Sequence, residues 1–292
     1  MEQKIIKGTG NIVWLASYPK SGNTWFRVFL HNLFSESDEP VHINELDKTP
    51  IASSRMLFDD TAGINASDLT QTEIMNLRPE VYRQVSREAT ELQFMKVHDA
   101  WTLNPENEPL FPADATRAVI YMIRNPLEVI ISFAHHSSIP IQQSVENLNN
   151  LQYGFCTKQN KLYNQLRQNL LDWSEHVLSW TERSGLPLYV IRFEDMLSDA
   201  FKTFSGTLEF LELDYGREQI EKAIRNSDIK ILQKQEKRDG FKEKAQQAES
   251  FFRNGHNKTW KDLLDHETIR LITERHGLLM KRYGYLTEIK PD

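Results

Sequence analysis

The sequence predicts an α/β fold: a single domain with a mostly parallel central sheet flanked by helices, and a P-loop-like loop after the first strand. Three observations lead there. Short apolar runs alternate with segments of helical periodicity, the pattern of strands joined by crossover helices. Ile12 to Ser17 and Arg117 to Ile123 are apolar without alternation, as strands covered on both faces are. No internal repeat and no Pro/Gly/Ser-rich linker divides the 292 residues, so 1–292 reads as one domain.

The first strand, Ile12 to Ser17, runs into a Pro-Lys-Ser-Gly turn, after which Trp25, Phe26, Phe29, Leu30, Leu33 and Phe34 recur at helical spacing. Asp68 to Leu92 reads as helical, with Thr70 and Glu73 at capping-box spacing and Pro79 opening a second segment. Leu92 to Val97 is a strand that delivers His98. Arg117 to Ile123 ends at Arg124-Asn125-Pro126, where Asn125 can cap a helix that Pro126 begins. A long helix is expected over 158–182, a buried strand over 186–193, and helices near 197–213, 216–226 and 263–283. The polar stretch 233–259 separates the last two.

Hydrophobic residues make up 39% of the chain and charged residues 26%, ordinary for a protein with a packed core. The formal charge of −6 argues against a nucleic-acid partner, so any anionic ligand is held by local groups. A lone Cys156 forms no internal disulfide and fits a reducing compartment. No apolar run is long enough to span a membrane, and the first residues lack the apolar core of a signal peptide. A cytoplasmic location is expected.

Two loops carry the chemistry. Tyr18-Pro19-Lys20-Ser21-Gly22-Asn23-Thr24-Trp25 joins a strand to a helix, where backbone N–H groups and the helix dipole favour a phosphate or sulfate. Against the nucleotide P-loop G-x-x-x-x-G-K-[ST], Ser17 stands at the first glycine and Asn23 at the lysine, and the positive charge has moved to Lys20. The 119–123 strand ends in Arg124 rather than a magnesium-holding Asp. Glu194-Asp195 could substitute for that acid, but it reads more simply as a helix N-terminal acid pair. In the second loop Arg124 offers a permanent forked donor and Ser132, two helical turns on, a short neutral one.

Together these segments resemble the sulfotransferases that use 3′-phosphoadenosine 5′-phosphosulfate (PAPS), of the soluble bacterial and cytosolic type. WLASYPKSGNTW, Trp14 to Trp25, is similar to the family's 5′-phosphosulfate loop, and AVIYMIRNPLEVIIS, Ala118 to Ser132, to its 3′-phosphate motif. Phe252-Arg253-Asn254-Gly255 with Trp260-Lys261 resembles the family's R-K-G-x-x-G-D-W-K lid, with Asn254 in place of a lysine and Lys258-Thr259 in place of Gly-Asp.

The resemblance implies roles by motif position. Lys20, Ser21, Gly22, Asn23 and Thr24 would hold the 5′-phosphosulfate, and Trp25 would stack on adenine. Arg124 and Ser132 would bind the 3′-phosphate, joined by Arg253, Asn254 and Gly255 from a mobile lid around 233–259. Phe193 stands where the family often has a tyrosine near adenine, and Ser227 near its adenine-side hydroxyl. His98 matches the catalytic base, Lys20 would stabilise the leaving 3′-phosphoadenosine 5′-phosphate (PAP), and Ser132 would restrain Lys20 until an acceptor arrives. Tyr18, Phe58, Trp101, Phe133 and Phe155 are candidate walls for a small-molecule or carbohydrate acceptor bearing a hydroxyl or amine. No metal is implied. His31 reads as structural or pocket-lining, His256 lies in the lid motif, and the adjacent His135 and His136 point apart on a helix. A P-loop-like small-molecule kinase and a non-catalytic PAP or PAPS binder are the alternatives. The sequence leaves the oligomeric state open.

Overall fold

The structure is a computed structural model that describes residues 8–158, 160–245, 247–252 and 259–286. The first strand, β1 (Ile12–Ser17), is buried along its whole length and leads into helix α1 (Asn23–Leu33). After α2 (Arg55–Ala62) and α3 (Gln71–Glu88), β2 (Gln93–Val97) lies parallel to β1 with Ala16 opposite Val97. On the other side of β1 lies β3 (Thr116–Ile123), also parallel, followed by α4 (Pro126–Ser137) and α5 (Ile141–Leu148). A two-residue antiparallel pair, β4 (Gly154–Phe155) with β5 (Gln168–Asn169), precedes α6 (Trp173–Leu178). Strand β6 (Leu188–Arg192) completes a four-stranded parallel sheet of order β2-β1-β3-β6. Helices α7 (Phe193–Ser198), α8 (Ala200–Leu211), α9 (Arg217–Asn226), α10 (Ile229–Asp239), α11 (Trp260–Leu263) and α12 (His266–Arg282) follow.

The period-2 alternation of a strand divides the apolar side chains between two cores. Trp14 and Ala16 of β1, with Val119 and Tyr121 of β3, join the core formed by α3, α4, α6 and α12. Val13, Leu15, Ala118 and Ile120 face the opposite core, against α1, α8 and α9. Both faces are covered, which is why these strands carry no polar alternation. Since β2 and β3 flank β1 on opposite sides, the chain reverses its direction of progress at β1. The carboxyl ends of β1 and β3 therefore border a crevice of the kind where open α/β sheets bind ligands.

Local signals account for several boundaries. Thr70 and Glu73 form the expected capping box, and Asn125 Oδ1 accepts the Leu127 N–H one residue after Pro126. Three expectations fail. Pro79 does not open a second segment, because α3 runs through it unbroken. The long helix over 158–182 is replaced by a loop, the β4–β5 pair and the shorter α6, which starts at its Asp172 cap. Leu162, Leu166 and Leu170 share helical spacing, yet Leu162 is exposed while Leu166 is buried and bonded through its N–H to the Ser53 carbonyl. Part of the polar stretch from 233 is also ordered: α10 continues to Asp239 with Leu232 buried, and Phe241 and Phe252 join Val28, Ile43 and Leu46 in a third apolar cluster. Among the described residues no helix is long and apolar enough to cross a membrane.

Candidate active site

The turn after β1 is built to expose its backbone. Lys20 (φ 72°) and Gly22 (φ 98°) both occupy left-handed backbone conformations. At Gly22 a Cβ would stand 2.6 Å from Phe193 Cδ2, so only glycine fits between the loop and that ring. The first N–H groups of α1 have no partner within the helix, and its dipole adds positive potential at the same end. Ser21 Oγ is buried and has no hydrogen-bond partner among the described residues. Asn23 does otherwise than a ligand contact would. Its amide donates inward to the Leu15 carbonyl at 2.7 Å and to Ser17 Oγ at 3.2 Å, fastening the loop to its strand and leaving only its backbone for an anion. Thr24 is buried in the first turn of α1.

Arg124, just past β3, crosses to the same loop. Its Nη1 donates to the Lys20 carbonyl at 3.1 Å, its Nη2 lies 3.4 Å from Glu128 Oε2, and its guanidinium sits 4.3 Å from the centre of the Phe193 ring. Phe193 thus touches both halves of the site, and it also meets Trp25 edge-on at 6.1 Å. Trp25 is fixed from the far side, its Nε1–H donating to the Ser227 carbonyl at 3.0 Å. The Ser227 hydroxyl is fully buried, donating to the Ala223 carbonyl and accepting from Asn32, so the residue orients Trp25 and α1 rather than presenting a free hydroxyl. Glu128 also accepts the Trp260 N–H at 3.1 Å, tying the start of α11 to Arg124's partner.

His98 follows β2 directly. Its Nδ1 is 2.9 Å from the Ser17 carbonyl oxygen, which can only accept, so Nδ1 carries the proton and Nε2 keeps a lone pair. Burial, and then the charge of Lys96, bring its pKa well below 6.5, so the ring is neutral near pH 7. Its backbone is held as firmly. Buried His176 donates Nε2–H to the His98 carbonyl and accepts the Tyr121 hydroxyl at Nδ1, at 3.1 and 2.8 Å. The adjacent Asp99 pairs with Arg78 at 2.8 Å, and both side chains are 1% exposed. The histidine ring is therefore neutral and held in one tautomer at the end of β2, with the Nε2 lone pair able to accept a proton.

Lys20 is the electrostatic centre. Burial, with Lys96 and Arg124 adding like charge, brings its pKa down to about 7. Its Nζ lies 4.1 Å from the centre of the ring of Phe251, a residue whose backbone N–H donates to Glu236 Oε1 at 2.6 Å. His136 of α4 meets the same ring at 5.6 Å, and burial followed by the charges of Lys20 and Lys96 lowers it to about 4. Ser132, half-buried on α4 one turn before His136, shares that helix face. Arg253, Asn254, Gly255 and His256 lie outside the described residues.

Some residues here escape a reading of motifs. Lys96 Nζ and Arg27 Nη1 both pair with Glu243, at 2.8 and 2.7 Å. Lys96 could have been noticed two residues before His98, on the same strand face. Glu243, in a run of charged residues, carries no such signal. Of the candidate acceptor walls, Tyr18 and Phe133 line one crevice with Val129, Leu148 and Tyr153, and Phe155 stacks on Phe133. Phe58 is buried in the core and Trp101 packs against it from outside. His31 is structural, its Nε2 lying 3.1 Å from Thr49 Oγ1.

The chain is similar in sequence to luciferin sulfotransferase of Photinus pyralis, 23% identical over 94% of this chain and 73% of that protein. Flavonol 3-sulfotransferase of Flaveria bidentis is 23% identical over 95% of this chain and 85% of its own length. In fold it is similar to mouse sulfotransferase SULT7A1 complexed with PAP (TM-score 0.56, 18% identity, 93% of this chain and 88% of that one). Retinol dehydratase in a complex with retinol and PAP gives a TM-score of 0.59 at 19% identity, over 98% of this chain and 84% of that one. His98 and Arg124 both bond to the backbone at 17–20 after β1, and the family model described as the sulfotransferase domain matches residues 11–284, nearly the whole chain: this protein belongs to the sulfotransferase family.

Proposed function

We propose that this protein transfers the sulfuryl group of PAPS, in line, to an acceptor hydroxyl or amine of a small molecule or carbohydrate. The observation that carries this reading is the convergence on one loop of Lys20, Arg124 and a buried Ser21 hydroxyl that has no partner among the described residues, beside a neutral His98 with Nε2 available. The residues fit the donor. The turn from 18 to 25 offers N–H groups and Ser21 Oγ to the 5′-phosphosulfate, and Gly22 leaves the clearance that this approach needs. Arg124, braced on Phe193 and the Lys20 carbonyl, would bind the 3′-phosphate together with Ser132, a reading its fixed guanidinium supports. Trp25 and Phe193 flank the place for adenine, with Ser227 holding Trp25.

In the transfer, a new bond forms between the acceptor oxygen or nitrogen and sulfur. The bond from sulfur to the 5′-phosphate oxygen breaks, and its electron pair leaves with PAP. His98 Nε2 takes the acceptor proton, and Lys20 stabilises the charge gathering on the leaving oxygen. Acceptors named in the relatives differ (luciferin, an amine, a flavonol), which supports a small-molecule acceptor as the class.

Calorimetry with PAP and ADP tests the donor assignment. PAP binds much more tightly to the wild-type protein, because each charge-assisted hydrogen bond to the 3′-phosphate contributes about 1.5–3 kcal/mol. Arg124→Met abolishes most of that preference. Equal affinity for PAP and ADP overturns the reading.

A further inference from the structure

Lys96, Arg27 and Glu243 form a largely buried charge triad beside the candidate site. Lys96 and Arg27 are 11% and 2% exposed, and Glu243, at 20%, bridges them through both carboxylate oxygens. Arg27 is further locked by Thr49, whose hydroxyl and carbonyl accept from it at 2.9 and 3.0 Å. The pairing spans the chain. Arg27 belongs to α1 beside the donor loop, Lys96 to β2 two residues before His98, and Glu243 to the segment between α10 and Phe251. Two cations left inside a protein without an anion carry a desolvation cost that nothing offsets. Glu243 supplies that anion, and its neighbour Phe241 anchors the same segment in an apolar cluster with Val28 and Ile43.

We propose that Glu243 is a positioning residue for the transfer reaction. It holds the Lys96 ammonium in place beside His98 and cancels the charge that Lys96 would otherwise impose on Lys20, so that the anion-binding loop keeps its ammonium. The inference rests on the donor-site reading above, since it assigns Lys20 to the donor.

The groups around Lys20 make the balance explicit. Lys96 from β2, Arg124 from the end of β3 and His136 from α4 bring positive charge or its potential. Glu236 from α10 and Glu243 are the acidic groups set against them. Around His98 the same Lys96 and Glu243 act in opposition, with neutral His176 behind. Glu236 is already engaged by the Phe251 and Phe252 N–H groups, so Glu243 is the acid that answers Lys96 directly. At short range a lone charge shifts a neighbour's pKa by roughly one to three units.

PAP binding followed by calorimetry across pH reads this without any acceptor. Lys20 must be protonated to bind the anion, and in the free protein it titrates near pH 7. Above about pH 6, where the phosphates of PAP are largely doubly ionised, affinity therefore declines as pH rises past the Lys20 value, by up to about tenfold per unit for one linked proton. Glu243→Gln moves the onset of the decline down by roughly one unit, so that binding above the wild-type midpoint is about tenfold weaker. Adding Lys96→Met to Glu243→Gln restores the wild-type onset, and Glu243→Asp stays near wild type. A wild-type onset in Glu243→Gln, or a double variant that stays displaced with it, overturns the proposal. If Glu243→Gln does not fold, Lys96→Met alone must raise the onset above wild type, and an unchanged onset overturns it. Failure of wild-type protein to bind PAP at any pH instead refutes the donor site itself.

Discussion

Gly22→Ala probes the loop at its tightest point. Alanine at φ 98° meets the penalty that an L side chain incurs in left-handed backbone, about 1–2 kcal/mol. The new methyl would also lie 2.6 Å from Phe193 Cδ2 and 3.7 Å from the Met196 terminal carbon. Phe193 cannot retreat freely, because Trp25 packs on its edge and Arg124 on its face. Overpacking of this kind costs about 1–3 kcal/mol. The sum, about 2–5 kcal/mol, is large against the total stability of an ordinary domain. Chemical denaturation of Gly22→Ala, Phe193→Ala and the double variant separates the two parts. With the ring removed, Gly22→Ala retains only the backbone penalty of about 1–2 kcal/mol. An equal cost in both backgrounds, or none in either, refutes the claim that the loop and Phe193 are fitted to each other.

Two further predictions follow from the buried charges. Asp99→Asn leaves Arg78 without its anion where both side chains are 1% exposed, so stability falls by about 3–5 kcal/mol in denaturant titration, and a loss under about 1 kcal/mol would contradict the pairing. Lys20 has a folded-state pKa of about 7 against an ordinary 10.5, so between those values the unfolded chain binds the extra proton and stability of the unliganded protein rises with pH. Lys20→Met makes that rise shallower, leaving the part that buried Lys96 contributes, which denaturation midpoints from pH 7 to 10 would show; an unchanged slope refutes the buried, depressed ammonium.

What could be read from the sequence was whatever rested on neighbours in the chain. The Thr70–Glu73 box, the Asn125-Pro126 helix start and the unalternated strands are local signals, and each has the geometry expected of it. Longer-range packing overrode local pattern elsewhere. Leu162, Leu166 and Leu170 repeat every four residues, but the chain there is held by 53–55 through Leu166 N–H to the Ser53 carbonyl and Arg55 N–H to the Asn164 carbonyl. At the candidate site, the resemblance pointed to Lys20, His98 and Arg124, which follow the ends of β1, β2 and β3 in the fold. It could not orient side chains. Asn23 turns its amide back to Leu15 and Ser227 keeps its hydroxyl for Ala223 and Asn32, contacts that only the folded loop reveals. Glu243 was the least legible, because its partners Arg27 and Lys96 lie 216 and 147 residues away.

The most direct measurement of the central claim is incubation with sulfur-labelled PAPS, a panel of hydroxyl- and amine-bearing acceptors and excess chelator, with products followed by mass spectrometry. A sulfated product and stoichiometric PAP are expected, with the rate reduced roughly 10²–10⁴-fold in His98→Ala. Phosphoryl transfer from ATP with added magnesium as the only activity found, or a His98→Ala variant that turns over a confirmed acceptor at the wild-type rate, would contradict sulfuryl transfer by this site.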